Sequence, residues 1–177
     1  MRLFAAIDVT FELREALAHL TRGLPGARWI PFENYHLTLR FLGEMPGHRA
    51  EDLDMALSAL RGRGFTLQLS GVGVHEKAGR GVAVWAGVER NPALEHLQTK
   101  IETAVKRMGF DPERRRFTPH VTLARLDNTP PGKLVEWLQG HALFRPPPMP
   151  VRHFTLFSSQ LGKDQAVYTP EVEYELA

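Results

Sequence analysis

The sequence has no cysteine among its 177 residues. Disulfide bonds, thiolate nucleophiles and cysteine-based zinc or iron–sulfur sites are therefore excluded. Long apolar runs are also missing, since none reaches the roughly 18 residues that a membrane-spanning helix needs. The first apolar stretch meets Asp8 too early for a secretory signal peptide. We therefore expect a protein of the cytoplasm that does not contact a membrane.

An excess of either charge is missing too: 22 basic and 20 acidic side chains leave a net charge of +2. This balance permits an anionic partner without requiring one. The densest basic run, Arg114-Arg115-Arg116, is by itself typical of a solvated loop. The length and the share of hydrophobic residues, 43%, favour one globular domain over residues 1–177.

Hydrophobic patterning predicts the same five elements twice, as strand, helix, strand, helix, strand in residues 2–70 and again in residues 82–157. A further strand follows near 167–176. The predicted strands are Arg2–Val9, Tyr35–Gly43, Phe65–Ser70, Val82–Val88, Thr118–Leu126, Val151–Phe157 and Val167–Leu176. The predicted helices are Phe11–Arg22 after a Thr10 cap, His48–Arg61, Pro92–Met108 after an Asn91 cap, and a short helix opened by Thr129 and Pro130 and closed by Gly140. We expect an α+β fold: a bilobal, pseudo-symmetric duplicated unit with two antiparallel-type sheets facing a central cleft and helices outside.

The two halves share a His-x-Thr sequence at equivalent places. His36-Leu37-Thr38 and His120-Val121-Thr122 lie 84 residues apart. On a strand, residues i and i+2 point to the same face, so each histidine projects together with its threonine. Because both triplets fall in predicted strands, we expect two matched imidazole–hydroxyl pairs.

Two further His-x-Thr triplets occur. His19 and Thr21 fall in a predicted helix, where positions i and i+2 do not share a face, so that triplet is a coincidence. His153 and Thr155 fall in a predicted strand, so parity does not exclude them. Their counterparts in the first half, near Leu67 and Leu69, include no histidine, and symmetry favours His36 and His120.

Two imidazoles that face one another across a groove can share one proton near neutral pH and act as general base and general acid. The hydroxyls of Thr38 and Thr122 can donate hydrogen bonds to an anionic oxygen between them. This set suits displacement at phosphorus. We expect no metal, because no Asp, Glu or further His lies on the same strand faces to complete a zinc site, and no cofactor.

These residues also carry a family resemblance. The segments His36-Leu37-Thr38-Leu39-Arg40-Phe41-Leu42-Gly43-Glu44 and Phe117-Thr118-Pro119-His120-Val121-Thr122-Leu123-Ala124-Arg125 closely resemble the 2H phosphoesterase superfamily. Within it, the sequence is similar to the RNA 2′,3′-cyclic phosphodiesterases, also called 2′-5′ RNA ligases, along nearly the whole chain. The resemblance implies a bilobal fold and the opening of a terminal RNA 2′,3′-cyclic phosphate to a 2′-phosphomonoester, with ATP-independent 2′-5′ ligation as the reverse reaction.

The resemblance also implies roles. His120 would be the proton acceptor that activates water, and His36 the proton donor to the leaving 3′ oxygen; the residues alone do not distinguish the two. Arg125 matches a family position that contacts phosphate or nucleotide, although strict alternation puts it on the opposite face from His120 unless a bulge re-aims it. Arg40 has the right parity with His36 and is the alternative.

Other RNA contacts stay open. The Arg114–Arg116 run lies just before the second motif, and a predicted basic hairpin loop spans His75–Gly81; both are candidates to contact RNA phosphates. Trp29, Tyr35 and Phe41 lie near the first motif and are either core residues or stacking partners for a base. The alternative functions are a 2H phosphodiesterase for a small cyclic nucleotide or an ADP-ribose cyclic phosphate, and a non-catalytic RNA-binding module. We expect a monomer.

Overall fold

Ten strands and four helices follow one another in the computed structural model, which describes residues 1–177. The strands are β1 (Arg2–Asp8), β2 (Ala27–Trp29), β3 (His36–Glu44), β4 (Phe65–Leu67), β5 (Leu69–Lys77), β6 (Arg80–Val88), β7 (His120–Leu126), β8 (Met149–Val151), β9 (His153–Leu161) and β10 (Ala166–Glu175). The helices are α1 (Phe11–Ala18), α2 (Gly47–Ser58), α3 (Pro92–Arg107) and α4 (Pro131–Gly140). The predicted α+β class is confirmed.

Every strand pairing is antiparallel, and the main sheet runs in the order β10-β9-β1-β3-β7-β6-β5, with β2 also on β7. The two predicted sheets are joined by one residue pair, Leu37 on β3 with Val121 on β7. The pairing stops there because β2 takes over the same edge of β7, where Ile30 N–H donates to the Leu123 carbonyl at 2.8 Å. The main sheet is therefore hydrogen-bonded without a break between its two halves.

The strand pairing follows the predicted duplication. Leu37 and Val121 are themselves 84 residues apart, and so are Thr66 and Pro150, which pair at the centre of the small β4–β8 sheet. Each half also lends a strand to the other: β2 pairs with β7, and β9 pairs with β1. The limits of the two halves, 2–70 and 82–157, stay a prediction.

The two predicted side-chain caps at Thr10 and Asn91 are confirmed, whereas two other helix ends differ from the prediction. The Thr10 hydroxyl accepts from Leu13 N–H at 3.4 Å, and the Asn91 side chain accepts from Leu94 N–H at 3.1 Å. Thr129 does not cap α4, because its hydroxyl donates to the Pro25 carbonyl instead. Helix α1 ends at Ala18 rather than at Arg22, since the following residues form turns that close at Gly23 with φ of 76°.

The strands differ from the prediction in four details. The short β2 was not predicted, because three residues are too few to show alternation. The predicted strand 65–70 is split between β4 and β5, and residues 151–157 are split between β8 and β9. The segment 75–81 is a hairpin as predicted, but β5 and β6 continue to a turn at Ala78 and Gly79, so the loop is only two residues long.

The main core fills the space between one face of the sheet and the helices. The apolar stripe of α3 is confirmed, with Leu94, Leu97, Ile101 and Val105 buried against the sheet. A second, smaller apolar cluster of Phe4, Ala6 and Phe157 lies apart from this core, with Tyr168 against it. No helix combines the length and the apolar character that crossing a bilayer requires.

Candidate active site

The pair of Leu37 and Val121 brings the two His-x-Thr motifs together. Both residues are completely buried toward the core, so the residues on either side of each project from the opposite face of the sheet. His36, Thr38, His120 and Thr122 are those neighbours, and all four are partly exposed. Extending the antiparallel register by one residue sets each histidine across from the threonine of the other strand. We call this face of the sheet, on which both motifs lie, the cleft face.

A β-bulge interrupts both motif strands at the same place. On β3, Thr38 pairs with Ala6 and Arg40 with Ala5, so Leu39 has no partner on β1. On β7, Thr122 pairs with Trp85 and Ala124 with Val84, so Leu123 has none on β6. An extra residue reverses the alternation that follows it. Residues 40 and 124 are therefore buried, and residues 41 and 125 emerge on the cleft face.

The bulges place the two candidate arginines on opposite faces of the sheet. Arg40 is buried, with 9% of its surface exposed, and its Nε donates to Glu102 Oε2 on α3 at 2.6 Å. Its terminal nitrogens donate to the carbonyls of Phe41 and Asp111. The expectation that Arg40 binds substrate is corrected here, because its donors are used on the helix side of the sheet.

Arg125, unlike Arg40, lies on the cleft face. It is exposed, it forms no ion pair or side-chain hydrogen bond, and its strand partners are Ala83 on β6 and Arg28 on β2. The parity objection to Arg125 is thus removed by the bulge at Leu123. The equivalent position on β3, 84 residues earlier, holds Phe41, which is 61% exposed.

Both imidazoles are oriented by a backbone carbonyl two residues earlier. The Nδ1 atom of His36 lies 2.8 Å from the Asn34 carbonyl oxygen, and that of His120 lies 2.6 Å from the Thr118 carbonyl oxygen. A carbonyl can only accept, so each Nδ1 carries a hydrogen and each Nε2 is left for chemistry. The Nε2 of His36 lies 2.9 Å from the Thr38 hydroxyl.

The environment of His36 is aromatic and enclosed. Its ring centroid lies 5.0 Å from that of Phe4 and 5.3 Å from that of Tyr168, which meets it edge-on. These rings line a pocket of about 130 Å³ that also includes Phe157 and Asp8. Burial lowers the pKa of His36, and the nearby His120 acts in the same direction. The free protein therefore favours the neutral imidazole at this position.

An acid–base pair behind His36 adjusts this effect. Asp8 pairs with His36 across β1 and β3, and its carboxylate accepts from the Arg14 guanidinium and from Val9 N–H. Arg14 is fixed by two further bonds, to the carbonyls of Val9 and Phe32. Asp8 raises the pKa of His36 and Arg14 lowers it, although both effects are smaller than that of burial.

The environment of His120 is more open. Trp85 on β6 lies beside it, with ring centroids 5.8 Å apart. Trp85 itself lies flat against Gly73 on β5, where any Cβ atom would overlap the indole ring. A glycine at 73 is thus a condition for the position of Trp85.

The other predicted contacts are placed as follows. Tyr35 is buried and Trp29 packs on Trp137, so both are core residues, whereas Phe41 is available for contact. Arg114–Arg116 are exposed in the loop before β7. His19 is exposed at the end of α1, and His153 is separated from β3 by β1 and lies 3.9 Å from Glu173.

Several residues around the motifs were missed by sequence reasoning. Phe4, Tyr168 and Trp85 lie in predicted strands, but their position beside the histidines depends on strand order and register. Asn34 and Asp8 act through a backbone carbonyl and a cross-strand pair, neither of which leaves a sequence signal. No group of three or more His, Cys, Asp or Glu side chains is arranged to hold a metal ion.

Comparisons with known proteins show which sequences and structures this chain is similar to. Residues 10–163 match the model of the 2′-5′ RNA ligase superfamily. The RNA 2′,3′-cyclic phosphodiesterase of Escherichia coli K12 is 33% identical over 96% of this chain and 93% of its own length. The enzyme of the same name from Geobacillus stearothermophilus is 32% identical over 81% of this chain, and that alignment spans only 44% of the longer relative.

Solved structures share the fold. The crystal structure of E. coli LigT complexed with 3′-AMP superposes with a TM-score of 0.82, at 29% identity, over 99% of this chain and 97% of that one. The α+β fold with antiparallel sheets is therefore shared with solved phosphoesterase structures.

Proposed function

Because the chain belongs to the 2′-5′ RNA ligase superfamily, we propose that it is an RNA 2′,3′-cyclic phosphodiesterase that opens the cyclic end to a 2′-phosphomonoester. The observation that supports this best is the pair of Leu37 and Val121, which sets two His–Thr pairs on one face of the sheet. The relatives that carry this name align over most of this chain.

In the proposed mechanism, His120 is the general base and His36 the general acid. The Nε2 of His120 takes a proton from water as the water oxygen bonds to phosphorus. The bond from phosphorus to the 3′ oxygen breaks, and the Nε2–H of protonated His36 gives its proton to that oxygen. The products are a 2′-phosphate and a free 3′-hydroxyl. With a 5′-hydroxyl in place of water, the same steps form a 2′-5′ linkage without ATP: the 5′ oxygen bonds to phosphorus as His120 takes its proton, and the bond to the 3′ oxygen breaks as His36 protonates that oxygen.

The lowered pKa of His36 fits this role only once substrate is bound. A phosphate anion beside His36 adds a negative charge and raises the pKa of the imidazole. Substrate binding would thus favour the protonated imidazole of His36, which is the form that a general acid needs. In this mechanism the hydroxyls of Thr38 and Thr122, which are partly exposed beside the histidines, donate to the two non-bridging oxygens as charge builds on them.

Arg125 completes the proposed site as the cation that binds phosphate or nucleotide. Its exposure and its lack of any protein partner support this role. We further propose that the partner is RNA and that the chain acts as a monomer without metal. The cytoplasmic location of the protein stays a prediction.

The test is an oligonucleotide with a 2′,3′-cyclic end, incubated with the protein in EDTA. We expect a 2′-phosphorylated product, identified by ³¹P NMR, and no turnover by the variant with both His36→Ala and His120→Ala. A 3′-phosphorylated product, or turnover that EDTA abolishes, would contradict the mechanism. Binding of the oligonucleotide without turnover would favour the RNA-binding alternative, and preference for a free cyclic nucleotide or an ADP-ribose cyclic phosphate would favour the small-molecule one.

A further inference from the structure

Two arginines lie side by side at the edge of the cleft face. Arg28 on β2 pairs directly with Arg125 on β7. Their neighbours on both strands, Trp29 and Ala124, face the core, so both arginines project from the cleft face. Both are exposed.

Nothing in the protein neutralises this pair. Neither arginine takes part in an ion pair or a side-chain hydrogen bond, and Asp127, which follows β7, is paired with neither. Like charges directly opposite one another on a sheet are destabilising. By contrast, Arg14, Arg40 and Arg145 each have a carboxylate partner. The two adjacent guanidinium groups therefore have no acidic partner in the protein, and their donors are available to an anion.

The neighbouring strand leaves room for that anion. In the row that crosses the sheet from Arg28, Arg125 is followed by Ala83 on β6 and His75 on β5. A small side chain next to the two guanidinium groups keeps the surface above them open, and no acidic side chain lies in the row.

The distance from the catalytic groups suits a neighbouring phosphate. Arg125 follows Thr122 by three residues, which span about 10 Å in an extended strand and less across a bulge. In an RNA with a cyclic end, the next phosphodiester lies one nucleoside away on the 5′ side. An arginine side chain at this distance reaches that group while the cyclic phosphate lies between the histidines.

We infer that Arg28, together with Arg125, binds the phosphodiester on the 5′ side of the terminal nucleotide. This rests on the proposed function and narrows it: the substrate is an RNA strand rather than a free mononucleotide. A charge-assisted, two-pronged contact to phosphate is the strongest interaction that arginine offers there. It positions the strand without reading its sequence.

The experiment compares adenosine 2′,3′-cyclic phosphate with the dinucleotide ApA bearing the same cyclic end. We expect the wild-type kcat/KM to be about tenfold higher for the dinucleotide, the effect of one charge-assisted contact. Arg28→Gln should lower kcat/KM for the dinucleotide more than for the mononucleotide and so remove most of that advantage, with Arg125 keeping the rest, and Arg28→Lys should restore part of it. Arg22→Gln, which removes an exposed arginine outside the cleft, is the matched control.

A binding measurement separates this inference from the proposed function. Fluorescence anisotropy with a labelled hexa-adenylate in the His120→Ala background needs no turnover. There, Arg28→Gln should weaken binding about tenfold and reduce the slope of log Kd against log salt by about 0.7. If Arg28→Gln weakens binding but the wild-type protein shows no turnover, the proposed phosphodiesterase activity is wrong and the inference that the arginine pair binds RNA still holds. Equal effects of Arg28→Gln on both cyclic substrates, or none, would show that Arg28 is only an edge charge.

Discussion

Phe41 on β3 and Arg125 on β7 occupy equivalent positions, each emerging on the cleft face just beyond a bulge. One side of the candidate site therefore presents an aromatic ring where the other presents a guanidinium group. The pseudo-symmetry holds for the histidines and threonines and is broken at this position. A nucleotide substrate is asymmetric in the same way, because it has an aromatic base on one side and an anionic phosphate on the other.

The first prediction concerns Arg125. Arg125→Gln should lower kcat/KM for a cyclic-ended RNA at least tenfold, because the phosphate loses a charge-assisted hydrogen bond. The melting temperature should stay the same or rise slightly, since Arg125 has no ion-pair partner and lies opposite the like charge of Arg28. Steady-state kinetics and calorimetry measure the two effects. An unchanged rate would remove Arg125 from the site.

Substitution of Arg40 should reduce the stability of the protein, whereas substitution of Arg125 should reduce its activity. Arg40→Met leaves the Glu102 carboxylate without its partner and should reduce the free energy of unfolding by about 3 kcal/mol. The double variant Arg40→Met with Glu102→Leu should recover much of that loss, because no charge is left unpaired. Urea denaturation measures both. A large loss of activity in a fully stable Arg40→Met protein would contradict the burial of this side chain.

The two histidines should be individually indispensable. His36→Ala and His120→Ala should each reduce kcat by about 10²–10⁴, the range for a single acid or base group. The double variant should lose less than the product of the two, since the groups act in one proton-transfer step. His153→Ala and His19→Ala serve as controls and should retain full activity. An equal loss at His153 would mean that the wrong pair has been chosen.

Burial of His36 predicts a titration below the ordinary value of 6.5. Since the folded state favours the neutral ring, the free energy of unfolding should be highest above pH 6.5. It should fall as the pH drops toward the lower folded-state pKa. Asp8→Asn removes a negative charge and should lower the pKa of His36 further, whereas a bound phosphate analogue should raise it. NMR titration of the ring protons resolves these shifts, and a rise in Asp8→Asn would contradict the assignment.

Gly73 should control the position of Trp85. In Gly73→Ala the new methyl group overlaps the indole, so Trp85 must leave its present position beside His120. We expect a drop in kcat of about tenfold or more with a shift in tryptophan fluorescence. Gly132→Ala is the control, because nothing lies near the Cβ position there. Normal kinetics in Gly73→Ala would show that the ring is not needed beside His120.

The sequence predicted the elements that repeat and the residues that alternate. The stripe on α3, the caps at Thr10 and Asn91, and the shared parity of each histidine with its threonine are local patterns, and local patterns are legible in a sequence. The bulges at Leu39 and Leu123 are not, because an extra residue is defined only against the neighbouring strand. This is why parity favoured Arg40 over Arg125 before the register was known. Arg28 could not be predicted for the same reason, because its position beside Arg125 depends on the pairing of β2 with β7.

The exchange of strands between the halves has a practical consequence for dissecting the molecule. A cut in the turn at Ala78 and Gly79 would leave β9 on a different polypeptide from β1, and β2 on a different one from β7. Neither fragment would hold a complete set of sheet neighbours, so each should be largely unfolded in isolation. Mixed together, they should reassemble, and recovered turnover would then report directly on the association of two separately expressed pieces.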